Sequence, residues 1–137
     1  MSSTLARVPV RILVLGGCVA ILALDLVTAL ASEAFDFSYS ALWPVSLLIY
    51  GTTAFLASKL VARVEVGVLA GVCVAGTEAT LGWGISWLIG PGQPSPEDQA
   101  AATVIAVAFV VALGGALVGL IGGLLGKRAA ARRALTT

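Results

Sequence analysis

The sequence predicts an all-α membrane protein, a four-transmembrane-helix antiparallel bundle with both termini on the cytoplasmic side, and three observations carry that expectation. The chain is 59% hydrophobic and 11% charged, whereas a soluble domain carries about 25% charged residues. Its 137 residues contain four apolar runs, each near the ~20 residues that cross a bilayer. Its eight basic residues fall in three groups: Arg7 and Arg11; Lys59 and Arg63; Lys127, Arg128, Arg132 and Arg133. A pair of apolar runs separates each group from the next. The two intervening loops hold Glu33, Asp36, Glu97 and Asp98 and no Lys or Arg. Positive charge stays on the cytoplasmic side, so the termini and the middle loop face inward and the two acidic loops outward. A multi-pass position in the cell membrane, the inner membrane of a bacterium, is the expected location.

The loops are too short for a separate soluble domain, so residues 1–137 read as one transmembrane domain. Helices are expected at about 8–31, 41–64, 65–90 and 96–128, with a basic cytoplasmic tail over 127–137. The first run also resembles a secretory signal peptide, with Ala29-Leu30-Ala31 as a cleavage site. Its apolar stretch of ~20 residues is longer than the usual core of such a signal, which favours a retained helix. Along this helix Arg11, Cys18, Asp25 and Ser32 recur every seven residues, with Thr28 one turn beyond Asp25. They share one stripe, and it is expected to face the bundle.

The loop SEAFDFSYSALW carries Phe35, Phe37, Tyr39 and Trp43, the composition of an interfacial aromatic belt. Ser40 is expected to cap the second helix, with Pro44 in its first turn. The turn around Arg63-Val64-Glu65 is short enough to fold helices two and three into an antiparallel hairpin. In the third helix Gly67, Gly71, Ala75, Glu78 and Gly82 fall on one face, a small-residue surface that admits another helix. Trp83 and Trp87 are expected on the lipid side, and Thr80 is expected to bond back to the Gly76 carbonyl. Ser95, Pro96, Glu97 and Asp98 read as the start of the fourth helix. That helix then carries Gly115, Gly119 and Gly123 at four-residue spacing, a glycine zipper pointing to other transmembrane helices, within the chain or in a homo-oligomer or larger membrane complex. Lys127, Arg128, Arg132 and Arg133 are placed to meet lipid headgroups, with anionic lipid the sharper expectation.

A carboxylate within a span costs ~2.5 to 3.5 kcal/mol on insertion scales and is a functional candidate by default. There are two, Asp25 and Glu78. At ~1.5 Å per residue, Asp25 lies ~21 Å beyond Arg11, Glu78 ~20 Å beyond Glu65, and Tyr50 ~20 Å outward of Arg63. The three share a level, which makes them the candidate proton- or ion-binding residues, with one of the two acids expected to hold a proton because paired carboxylates in low dielectric do not both ionise readily. Glycine concentrates at the cytoplasmic end and aromatics at the other, so the bundle is expected to splay outward.

No residue pattern suggests an enzyme. There is no His, nucleophile elbow, P-loop or CxxC motif, and no basic surface interleaved with aromatics for nucleic acid. No cofactor and no metal site is expected, and Cys18 and Cys73 read as buried thiols. Two functions follow from different classes. The first is a non-catalytic subunit or assembly partner in a membrane complex, favoured by the short loops and the small-residue faces. The alternative is a small proton- or cation-coupled channel or transporter using Asp25 and Glu78.

Overall fold

The computed structural model describes residues 9–90, 93, 95 and 101–135. Among these the chain is helical without strands, and four helical stretches are long and apolar enough to cross a membrane. The expected Pro96, Glu97 and Asp98 start of the last helix lies outside the described residues.

Helix α1 (Val10–Phe35) follows Pro9 in extended backbone and ends where Asp36 turns into the left-handed region, its N–H donating to the Ser32 carbonyl at 3.0 Å. It runs a turn beyond the expected end near residue 31. The Ser32 hydroxyl completes the stop by donating to the Phe37 carbonyl at 2.6 Å. A single 3-10 turn (Tyr39–Leu42) then leads into α2 (Trp43–Val61), with Pro44 in its first turn. Ser40 does not cap α2. It lies inside the 3-10 turn, its hydroxyl 2.8 Å from that of Ser38, because the chain begins coiling before Trp43.

Ala62 ends α2 at φ 57°, with its N–H on the Ser58 carbonyl at 2.7 Å, and after an extended Arg63 the next helix starts at Val64. Glu65 in that first turn suits the positive end of the helix dipole. The third span is α3 (Val64–Thr77), a π-helical turn (Glu78–Gly82) and α4 (Trp83–Ile89), closed by Gly90 at φ 125°. The fourth is α5 (Ala101–Ala134), 34 residues and so longer than a bilayer core requires. Its last turns carry Lys127, Arg128, Arg132 and Arg133 as exposed residues.

Helices α2 and α3 pack on each other and both pack on α5, whereas α1 packs on α2, α3 and α4 and does not reach α5. The α2–α3 pair is therefore the shared centre. Every buried residue of α5 is a glycine: Gly115, Gly119, Gly122, Gly123 and Gly126. A Cβ at Gly119 would stand 2.9 Å from the Gly67 carbonyl oxygen and 3.1 Å from Val68 Cα, and one at Gly67 would stand 2.7 Å from Gly123 Cα. Gly71 meets Gly115 and Gly119 in the same way. On the adjoining face a Cβ at Gly122 would stand 2.6 Å from the Gly51 carbonyl oxygen of α2. Backbones this close leave no space for side chains, and lipid-like surroundings provide no hydrophobic drive, so the dispersion gained by close approach holds the contact.

Of the expected stripe on the first helix Asp25, Thr28 and Ser32 are buried, together with Gly17, Ile21 and Ala29 beside them, and Cys18 is half-buried. Arg11, at the stripe's end, is exposed. Ile21, Tyr50, Val74 and Ala75 form the apolar core between α1, α2 and α3. Cys73 is exposed rather than buried, because its side of α3 faces away from the other helices, while half-buried Cys18 takes a hydrogen bond from the Thr77 hydroxyl at 3.3 Å. Both thiols are free.

Candidate functional site

A cavity of about 350 Å³ lies between the glycine-packed end and the Tyr39 turn, and both intramembrane acids line it. Asp25 arrives from α1 and is 4% exposed. Its Oδ1 accepts a hydrogen bond from the Tyr39 hydroxyl at 3.0 Å. Its Oδ2 is buried without a hydrogen-bond partner, as is the Thr28 hydroxyl one turn away. The carboxylate fits because residue 82 has no side chain: a Cβ on Gly82 would stand 2.9 Å from Asp25 Cγ and would collide with Oδ2.

Glu78 enters from the third span as the first residue of the π turn. Its Oε1 accepts from the Ser46 hydroxyl of α2 at 2.8 Å. No hydrogen bond joins the two acids directly; each is held by a hydroxyl, and both line the one cavity. Among the described residues no Lys or Arg pairs with either one. Two acids therefore face one apolar-walled space without a compensating cation, an arrangement that disfavours two negative charges at once and favours an added positive one.

Tyr50 lines the same cavity, but it is 3% exposed and packs in the apolar core. The phenol that reaches a carboxylate is Tyr39. Counting residues along straight helices could not find it, because Tyr39 lies in the connection, where the 3-10 turn folds back over α1. Trp83 also departs from expectation, since it lines the cavity instead of facing lipid. The cause is the π turn: one extra residue in a turn rotates everything after it by about 100°. Thr80 within that turn does bond back to the Gly76 carbonyl, at 2.7 Å.

Gly67, Gly71, Gly115, Gly119 and Gly123 are brought together, but at the opposite end from the Tyr39 turn, where they close the helices beneath the cavity. Beyond Tyr39 and Ser40, which line both spaces, an open pocket of about 700 Å³ is bordered by Glu33, Asp36 and Gln93. No group of three or more His, Cys, Asp or Glu able to hold a metal ion occurs among the described residues. No family model, curated protein or solved structure matches the chain.

Proposed function

We propose that this protein is an antiparallel four-helix membrane bundle, closed by a glycine zipper at its cytoplasmic end, that binds a proton or cation between Asp25 and Glu78 and passes it through the membrane. The observation that supports this most is the cavity itself, lined by carboxylates from two different helices, with Asp25 Oδ2 buried and unpartnered. Structural acids in a span are usually satisfied by the chain around them, because an unmet polar atom in a dry interior costs of order 1–3 kcal/mol. A proton on the Asp25 carboxyl lowers that cost. The open pocket with Glu33 and Asp36 lies on the side assigned to the exterior by the basic residues, so its negative potential draws cations toward Tyr39.

Reconstitution in liposomes tests the reading. The wild-type protein is expected to carry a proton or monovalent-cation flux that Asp25→Asn and Glu78→Gln each abolish while the protein stays folded. Equal flux from wild type and both variants contradicts it. Orientation is tested separately, with a Cys placed at Gln93 reacting from outside intact cells and one at Thr136 staying protected.

A second reading, a subunit of a larger membrane complex in the inner membrane, draws on α5. No residue from Ala101 to Gly114 is buried, and Ile105 and Phe109 are exposed, a surface that another helix could cover in place of lipid. A stable stoichiometric partner in mild detergent, together with no flux from the pure protein, favours this reading.

A further inference from the structure

We infer that the cation this cavity accepts is an organic ammonium ion rather than a bare or hydrated metal ion, an inference that rests on reading the cavity as a cation site. A volume of about 350 Å³ lies at the small end of the range of ~300–1,000 Å³ in which proteins enclose organic ligands.

Leu24, Leu42, Leu47, Val110 and Val111 give the cavity an aliphatic stretch of wall. A hydrated metal ion would press its water shell against those carbons, and a dehydrated one needs about six oxygen ligands for ions of the calcium or magnesium kind. Each of the two carboxylates already takes a hydrogen bond from a hydroxyl, the other side-chain oxygens of the lining are neutral hydroxyls of Ser, Thr and Tyr, and no cluster of three His, Cys, Asp or Glu side chains able to hold a metal ion occurs among the described residues. An alkylammonium ion fits both parts of the wall: its carbons meet Leu and Val, and its charge meets Asp25 and Glu78.

Trp43 and Trp83 line the cavity with Tyr39 and Tyr50, and indole is the best of the ring systems at attracting an organic cation. Asp25 Oδ2 and the Thr28 hydroxyl, on residues that line the same space, are buried without partners. The acidic pocket of Glu33 and Asp36 shares Tyr39 and Ser40 with the cavity, which places negative charge next to it.

Two of the three tryptophans, Trp43 and Trp83, line the site, so intrinsic emission of the protein in lipid nanodiscs reports binding. Titration with tetraethylammonium chloride at constant ionic strength is expected to give a saturable change that sodium and potassium chloride do not give. Glu78→Gln is expected to weaken it by roughly tenfold, since one of the two nearby negative charges is lost. Trp83→Phe is expected to weaken it by roughly threefold and serves as the second variant where Glu78→Gln does not fold. The inference is overturned by an equal saturable response to sodium or potassium, by no saturable response to tetraethylammonium, or by affinity unchanged in both variants. A pH-dependent emission that vanishes in Asp25→Asn, with no response to tetraethylammonium, retains the carboxylate site and removes only its organic ligand. Emission indifferent to pH and to every cation removes both.

Discussion

Replacing Gly82 by Ala gives the sharpest local test of how the site is built. In an ordinary helix the exchange gains up to about 1 kcal/mol, because glycine is the weaker helix former. At position 82 the new methyl would enter the space occupied by Asp25 Oδ2 and stand 2.9 Å from Asp25 Cγ. The neighbour is a carboxyl held by Tyr39, so the methyl must push it off that bond or widen the contact between α1 and the third span. Overpacking of this kind costs about 1–3 kcal/mol, and loss of a hydrogen bond to a charged group about 1.5–3 kcal/mol. Even after the propensity gain, Gly82→Ala is expected to destabilise by roughly 1–3 kcal/mol. Gly76 and Gly84 provide the controls, since a Cβ at either meets nothing within 4 Å, and Ala there is expected to be neutral or stabilising. Unfolding in mixed detergent micelles measures all three, and a double-mutant cycle with Asp25→Ala isolates the contact. In the Asp25→Ala background Gly82→Ala is expected to lose its cost. A Gly82→Ala protein as stable as Gly76→Ala in the wild-type background refutes the reasoning.

Other perturbations follow from the same contacts. Gly119→Leu forces a side chain against the Gly67 carbonyl and Val68 backbone and is expected to cost about 3 kcal/mol or prevent folding, measured by thermal unfolding in detergent; unchanged stability contradicts the close packing of α5. Ala62→Gly is expected to stabilise by about 1 kcal/mol, because Ala62 holds φ 57°, a conformation costly for any residue with a Cβ; a loss in the same unfolding assay argues against that turn. Tyr39→Phe removes the donor to Asp25 Oδ1 and leaves a second buried oxygen unpaired, so cation or proton flux is expected to change its pH dependence while folding persists; an unaltered pH profile argues against the bond. Replacing Lys127, Arg128, Arg132 and Arg133 together by Gln is expected to weaken binding of the protein to anionic lipid by about 1 kcal/mol per charge, measured by lipid exchange in nanodiscs.

The membrane spans were legible because composition and hydrophobic length do not depend on tertiary detail. The inward stripe of α1 was legible for a similar reason: Asp25, Thr28 and Ser32 repeat at helical spacing, and all three are buried. Counting rise per residue brought Asp25 and Glu78 to one level, and they do line one cavity. What could not be read was whatever breaks helical regularity. The π turn at Glu78–Gly82 leaves no mark in a pattern of apolar residues, yet it turns Trp83 from lipid to cavity and sets Gly82 against Asp25. Tyr39 was hidden because it reaches Asp25 from a connection, where neither helical nor strand spacing applies. Ser40 carried a cap's identity without a cap's position, since the 3-10 turn had already started the helical path.

The central claim is that Asp25 and Glu78 behave as one site. Infrared difference spectroscopy of the protein in nanodiscs, recorded across a pH titration, reads the carboxyl bands directly, with Asp25→Asn and Glu78→Gln assigning each band to its residue. The account predicts coupled titration, in which Glu78→Gln shifts the midpoint of the Asp25 band and Asp25→Asn shifts that of Glu78. Two bands that titrate independently, each at the same midpoint whether or not the other acid is present, would contradict it.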